Sequence, residues 1–429
     1  MKNIIVIAYL LNNWKGSEFA VAWDYITHMS KRNRLTVLYG CCDGFHRIGN
    51  TGRMEEWAKQ NSIDNVEFIA IKPTFECQNY DYSTKGNFLF YKEYTEWHRD
   101  VRKFVGKFVT TQKIDLIHYL GPIGYREPGF LHDLDIPYIW GPIGGFGMIP
   151  PKLWKAAFSI KGAAALLLKG LLNKIQSTTN RRVHNAIEDS DVVICATTEW
   201  REYVEKLAGK KHHSKILYKP ENCINKLYSV NFEKFNSDTI NLVFVGWIDS
   251  RKALVLILDA LKRMKDASKI RLHILGDGDL IEKYKTYTKT SGLDNVVIWH
   301  GRVPRDEVFE IMNNSHLMVL PSLMDANTTV IWEAMAMGIP TLALDHFGFH
   351  DTIKNGETGF LIKPNNYRQV VNDITSVLIK LQQSNGMSLL QSMAENVVED
   401  RKNHLWEERE KFFENVYNEA INNHNNKRK

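Results

Sequence analysis

The stretch PSLMDANTTVIWEAMAMGIP, Pro321 to Pro340, follows directly on the apolar run Leu317 to Leu320 and contains the start of a helix. A buried strand that turns at once into a helix is half of a βαβ unit. Asp325 and Glu333 are acids eight positions apart, with Thr328 and Thr329 between them. Asn327 or Thr328 can cap a helix running from Thr328 to Met337. The open N–H groups and positive dipole end of such a helix suit a pyrophosphate. Glu333, about a turn inside, can still face a ligand and accept hydrogen bonds from sugar hydroxyls. The competing reading is a plain helix with one acid on its solvent face, and the segment alone does not separate the two.

The same alternation extends through most of the chain. Ile4 to Leu10, Leu35 to Tyr39, Ile114 to Tyr119, Pro137 to Trp140 and Val192 to Ala196 read as strands, with a helix over Ser17 to Lys31. The pattern then restarts. Strands are expected at Ile240 to Val245, Ile270 to Leu275, Val296 to Trp299, Leu317 to Leu320, Pro340 to Leu344 and Gly359 to Ile362, with a helix from about Lys252 to Met264. Such alternation means parallel sheets covered by helices on both faces. Two successive doubly wound sheets fit a chain of 429 residues better than one large sheet. The linker falls near Tyr218 to Asn225. A last helix, from His404 to about Ile421, carries Trp406, Phe412, Phe413, Val416 and Tyr417 as its apolar stripe. Ligands of open α/β sheets bind beyond the carboxyl ends of the strands, so two such sheets point to a cleft between them.

Composition excludes several classes. Hydrophobic residues make up 44% and charged residues 24%, as in ordinary globular proteins. The net charge of +6 is small for this length, and no common nucleic-acid signature occurs, so nucleic acid is not an expected partner. Five cysteines, Cys41, Cys42, Cys77, Cys195 and Cys223, form no C-x-x-C pair, which fits reduced thiols in a cytoplasmic protein. Met1-Lys2 before Ile4 to Leu11 imitates a signal peptide but lacks a cleavage pattern, so it reads as a buried first strand. No apolar stretch reaches the length of a membrane span.

The segment 321–340 resembles the E-x7-E region of family 4 glycosyltransferases. There the usual pattern is P-S-x-x-E-x-x-G, apolar residues, then E-A-M-A-x-G-x-P. Pro321, Ser322, Glu333, Ala334, Met335, Ala336, Gly338 and Pro340 match; the first acid is Asp325 in place of Glu. Further landmarks occur in the same order. VFVGWIDSRKAL, Val243 to Leu254, is similar to the family's G-R-L…K-G segment, with Lys252 at the phosphate-binding lysine, Trp247 in place of arginine and Ala253 in place of glycine. Arg251 is a candidate for the missing positive charge. Gly276-Asp277-Gly278 resembles the G-x-G turn, Gly301-Arg302-Val303 the loop near the nucleotide base, and Asn355 to Leu361 the N-G-x-T-G-x-L loop. Asn222 stands where the family often has N-G before its second domain.

The resemblance implies the GT-B fold: two Rossmann-like, doubly wound domains facing a central cleft. Residues 1–217 would form an acceptor-side domain, completed by a C-terminal helix within 404–429, and residues 218–403 a donor domain. Asp325 would contact the donor sugar, Glu333 the ribose, and Lys252 the phosphates, where a cation offsets developing leaving-group charge. Gly16, Arg251, Gly301, Arg302, Val303, Asn327, Thr328 and Thr329 would complete the donor site. Asp115 to His118 resembles the family's D-x-x-H strand end, which implies that His118 faces the cleft near the reacting sugar; taken alone, a histidine at a strand end is more often structural. Gly16-Ser17-Glu18 stands where the family has a glycine-rich loop, and a simple helix start capped by Ser17 is the alternative. Gly121 to Gly124 and Gly141 to Gly145 are expected on the acceptor side.

Asp277-x-Asp279 imitates a D-x-D metal motif but lies in the G-x-G turn, and no histidine pair has an acid or cysteine partner at zinc spacing. No essential metal and no cofactor beyond the nucleotide-sugar substrate are expected. Between Asp135 and Glu188 there is no acid, while Lys152, Lys155, Lys161, Lys169, Lys174, Arg181 and Arg182 fall there. Pro150-Pro151 suits a helix start. On a wheel Trp154, Ala157, Phe158, Ile160, Ala164, Ala165, Leu168, Leu171, Leu172 and Ile175 share one face. This is the pattern of an interfacial helix on an anionic membrane, here over 150–182; a helix packed on its own domain with a solvated basic face is the alternative. The family resemblance implies a retaining glycosyltransferase acting on a glycan or lipid-linked acceptor in cell-surface polysaccharide biosynthesis, expected in the cytoplasm or peripherally on the inner face of the membrane. A nucleotide-sugar epimerase and a silent nucleotide-sugar-binding protein are the alternatives.

Overall fold

In the computed structural model, residues 1–16, 18–43, 49–72 and 87–428 are described, the side chains of 87–89 excepted. The chain divides into two units. The first comprises Met1–Phe146, Ile175–Glu221 and Trp406–Lys429, and the second Gly147–Lys174 and Asn222–Leu405.

The first unit is built on strands β1 (Asn3–Ala8), β2 (Arg34–Tyr39), β3 (Val66–Ala70), β4 (Leu116–Gly121), β5 (Tyr138–Ile143), β6 (Val192–Cys195) and β7 (Ile216–Tyr218). They form one parallel sheet in the order β3-β2-β1-β4-β5-β6-β7. The run Ile4–Leu11 is buried throughout, because β1 pairs on both sides and helices cover both faces. β3 and β7 were not expected from the sequence. β3 is only half-buried, so its apolar run is short, and β7 lies at the start of the expected linker. The helix Trp406–Lys427 buries Trp406, Phe413, Val416 and Tyr417 of its expected stripe, whereas Phe412 is half-buried.

The second unit carries β8 (Ile240–Val245), β9 (Ile270–Leu275), β10 (Val297–Gly301), β11 (Leu317–Leu320), β12 (Thr341–Leu344) and β13 (Gly359–Ile362). Its parallel sheet has the order β10-β9-β8-β11-β12-β13. The landmark turns read in the sequence are packing devices here. A Cβ on Gly276 would stand 2.0 Å from the Gly246 carbonyl oxygen, and one on Gly278 2.3 Å from that of Ile248. Asn355 Oδ1 accepts from the Leu361 N–H at 2.9 Å, and Thr358 Oγ1 from the Lys354 N–H at 2.9 Å, closing the turn that enters β13.

The expected first domain, 1–217, needs correction: residues 147–174 belong to the second unit. Their apolar side chains Leu153, Ala156, Ala157, Ala163 and Leu166 join its core beside Leu254, Leu258 and Val371. The expected continuous helix is also corrected. Pro151–Ala157 is a 3-10 helix, Phe158 breaks it at φ +55°, and an α-helix then runs over Ile160–Thr179. Phe158 stacks on Tyr284 with ring centroids 4.3 Å apart, which fixes the break.

Candidate active site

Each sheet has one place where its strand order reverses, and there the two loops that leave the strands diverge and open a crevice. In the second unit that place lies between β8 and β11. The loop after β8 carries Arg251 and Lys252, and the loop after β11 carries Asp325. Lys252 Nζ donates to Asp325 Oδ2 at 2.6 Å, and Arg251 Nη1 lies 3.7 Å from Asp325 Oδ1. Arg251 is itself clamped by Asp249, with Nε and Nη2 at 2.9 and 2.8 Å from Oδ2. The Lys252 and Asp325 side chains are only 9% and 11% exposed. Burial alone would raise the Asp325 carboxyl, but Lys252 and then Arg251 outweigh it and hold it below the ordinary carboxylate range. Residues 73 positions apart in sequence thus meet at the switch point. The lysine expected on phosphate and the acid expected on sugar hold each other.

The helix Thr329–Ala336 starts four residues beyond Asp325. Thr328 occupies its N-cap position with extended backbone, but its hydroxyl makes no capping bond. The first-turn N–H groups therefore lack their usual side-chain acceptor, which suits an anion. Asn327 is buried, and Thr328 and Thr329 are half-buried. Asn327 positions the turn by accepting, through its carbonyl oxygen, from Asn222 Nδ2 at 3.1 Å. Glu333, one turn into the helix, is ion-paired with Arg305. Sequence reasoning missed Arg305. Its signal was Pro304, which stands just before the helix Arg305–Asn313 and puts Arg305 on that helix's first turn. Gly301 ends β10 at φ +66°, Arg302 is exposed, and Val303 packs on the apolar cluster around Met318 and Leu320. Asp277 Oδ1 accepts from the Gly278 N–H at 2.7 Å in its exposed turn. Among the described residues, no group of three or more His, Cys, Asp or Glu is placed to hold a metal ion.

In the first unit the switch point lies between β1 and β4. A small cavity of about 20 Å³ sits there, walled by Ala8, Leu10, Gly121, Pro122, Pro142 and Glu18. The Gly121–Pro122 and Gly141–Pro142 bonds are cis. Glu18, the first residue of the helix Glu18–Met29, is half-buried, yet its Oε2 is covered and has no hydrogen-bond partner among the described residues. Burial, with Glu221 adding to it, pushes its carboxyl up to about 7. Gly16 is exposed, with open space where a Cβ would stand; Ser17 lies outside the described residues.

His118 does not stand in this crevice, and the expectation that it meets the sugar is corrected. It is fully buried on β4. Its Nε2 donates to the Gly141 carbonyl at 2.7 Å, which leaves Nδ1 to accept from the Tyr25 hydroxyl at 2.9 Å. Tyr25 in turn accepts from Tyr417 on the C-terminal helix. Burial lowers the imidazole to about 4, so it stays neutral and serves as a bolt between β4, β5 and two helices. The period-2 burial of a central parallel strand is complete on both faces, and a D-x-x-H spacing cannot reveal which face a helix will later cover.

Comparison with known proteins agrees with this geometry. The model of glycosyl transferases group 1 matches residues 229–396. An uncharacterized glycosyltransferase of Methanocaldococcus jannaschii is 26% identical over 318 residues, covering 73% of this chain and 78% of that protein. The lipopolysaccharide 1,6-galactosyltransferase of Salmonella typhimurium is 30% identical over 141 residues, but these span 32% of this chain and 39% of that enzyme. In structure, the Anabaena protein HepE, crystallised with UDP, superimposes with a TM-score of 0.56 over 94% of this chain and 95% of its own, at 14% identity. The protein has the GT-B fold, with two Rossmann-like parallel sheets, and is similar in sequence to glycosyltransferases. Its second unit is a glycosyl transferases group 1 domain, and the family resemblance read from Pro321 to Pro340 stands.

Proposed function

We propose that the protein is a retaining transferase that moves a hexosyl or related sugar from a nucleotide-sugar donor to a glycan or lipid-linked acceptor. The observation that carries this reading is the meeting of Lys252, Arg251 and Asp325 beside an uncapped helix start, at the switch point of the second sheet. A pyrophosphate entering there would take over Lys252 and the first-turn N–H groups, so that developing leaving-group charge is met by fixed positive charge. Asp325, released from the lysine, would accept from a sugar hydroxyl, and Glu333 from the ribose. Retention of configuration is carried by the family resemblance. The Salmonella galactosyltransferase supports a role in cell-surface polysaccharide assembly, and the UDP complex of HepE supports a nucleotide-sugar donor. No metal is part of the proposal, because fixed cations already stand where the phosphates would lie. The site is proposed to work in the cytoplasm or at the inner face of the membrane. No helix among the described residues is long and apolar enough to cross a membrane.

The test is thermal shift against UDP-, GDP- and ADP-sugars, since selective binding stabilises the folded state. One donor should raise the melting temperature, and Glu333→Ala should weaken that response. No response to any donor removes the reading. A silent binding protein is the second reading, favoured by the carboxylates of Asp249 and Asp325 that already neutralise both cations. Slow hydrolysis of the bound donor, with the product anomer followed by NMR, separates a transferase from a silent binder.

A further inference from the structure

The helix Ile160–Thr179 is mounted with Leu168, Leu171 and Leu172 toward solvent. The residues it buries are Ala163, Leu166, Gly170, Asn173 and Ser177, which fall at helical spacing on one face. That face fits closely. A Cβ on Gly162, on the edge of that face, would stand 1.9 Å from Ser250 Oγ, one on Gly170 would stand 2.4 Å from Met148 Cγ, and Asn173 Nδ2 donates to the Gly147 carbonyl at 2.7 Å. At Gly162, Gly170 and Asn173 the packing thus selects small and polar side chains, Leu166 is the one buried leucine of the helix, and Leu168, Leu171 and Leu172 are left outside. Ile160 is 81% exposed, Leu168 57% and Leu171 51%, and Leu172 and Ile175 are also exposed. At 100° per residue these five span about 120° opposite the buried face. Lys169 lies at one edge of the stripe, Lys174 at the other and Lys161 within it. The preceding 3-10 helix adds exposed Trp154 flanked by Lys152 and Lys155.

A helix that buried its leucines would need no explanation. One that exposes a leucine stripe costs solubility unless something covers it, because contiguous exposed apolar patches mark interaction surfaces. The charge identifies the cover. Seven basic residues and no acid occur between Asp135 and Glu188. Basic residues edging an apolar stripe complement an anionic, apolar-cored layer, into which leucines sink while lysine stems reach back to headgroups.

We propose that residues 154–175 form a docking surface for an anionic lipid bilayer, entered by Ile160, Leu168, Leu171, Leu172 and Ile175 and steered by the flanking lysines. This rests on the transferase reading only for the purpose it would serve, a lipid-linked acceptor. The apolar stripe supplies depth and the lysines supply selectivity, at about fivefold in partition per lysine from about 1 kcal/mol each near an anionic surface.

The experiment is flotation of the full-length protein with vesicles of phosphatidylcholine alone and of phosphatidylcholine with phosphatidylglycerol, without donor or acceptor. The expected result is binding to the anionic vesicles, much weaker binding to the neutral ones, and release by salt. Leu168→Ser with Leu171→Ser should lower anionic binding at least tenfold at unchanged melting temperature, since both side chains are exposed. Lys161→Gln with Lys169→Gln and Lys174→Gln should abolish the preference for anionic over neutral vesicles. Wild-type protein that stays in the aqueous fraction, or serine variants that float like wild type, would overturn the proposal. So would a concentration-dependent dimer that the serine variants abolish, because a second copy would then be the cover. Thermal shift by a donor is scored separately, so loss of either result leaves the other standing.

Discussion

Lys252→Ala tests whether the switch-point cluster is one electrostatic unit. At 2.6 Å and an effective dielectric of about 20, the Lys252–Asp325 attraction is about 6 kcal/mol. Desolvation of two nearly buried charges, several kcal/mol per ion, offsets most of it. Removing the lysine leaves the desolvated carboxylate, with Arg251 at 3.7 Å to recover part of the loss. The expected destabilisation is about 2 kcal/mol, below the ~3–5 kcal/mol of a wholly orphaned buried charge. Adding Asp325→Asn removes that charge, so the double variant should be more stable than Lys252→Ala alone, with a coupling of about 1–3 kcal/mol. Urea unfolding followed by tryptophan fluorescence reads both. Donor response behaves differently: it should be lost in both variants, because the phosphates lose their lysine, and kcat should fall about 10²–10³-fold. The pair's pH dependence follows from the depressed Asp325 carboxyl, whose contribution is complete above the ordinary carboxylate range and lost as pH falls through its lowered value. Effects that add within about 0.5 kcal/mol would refute the coupling, and a double variant that regains donor response would refute the role of Lys252 on phosphate.

Four further outcomes follow from the geometry. His118, held neutral near 4 against its ordinary 6.5, should withdraw about 3 kcal/mol of stability as pH falls from 6.5 toward 4; His118→Gln should flatten that slope while leaving kcat within a fewfold, and a large kcat loss in a folded variant would return His118 to the sugar. Glu18 has the opposite sign: its raised carboxyl favours the folded state below about 4.5, and this is lost as pH rises through about 7. Glu18→Gln should therefore raise the melting temperature at pH 8 and change it little at pH 4, and equal shifts at both would contradict a buried carboxyl. Gly278→Ala drives a Cβ to 2.3 Å from a backbone oxygen and should cost about 1–3 kcal/mol with a weakened donor response, read by melting and thermal shift; an unchanged melt would contradict the close packing. Excess EDTA should leave transfer unchanged, and metal-restored activity would refute the metal-free proposal.

The two sheets were legible because the strands of buried parallel sheets are short apolar runs, and β8, β9, β11 and β13 begin and end where those runs do. The half-buried β3 and the three-residue β7 were not, because neither carries enough apolar contrast. The donor-side constellation was legible as a set of landmarks. Its assembly was not, since local spacing holds no record of a contact 73 residues long, nor of Arg305 closing on Glu333.

Sequence by itself determined most of the strands, their alternation with helices, the family resemblance of the second unit and the basic, acid-free character of 136–187, because periodicity and local charge are properties of neighbours along the chain. Tertiary structure alone decided that His118 is a core bolt, that Lys252 and Asp325 hold each other, that 147–174 packs with the second unit, and which face of Ile160–Thr179 turns to solvent. A wheel gives a helix two faces; the close fit of Gly162 on Ser250 and Gly170 on Met148, with Ala163, Leu166 and Asn173 buried beside them, determines which one the protein takes for itself.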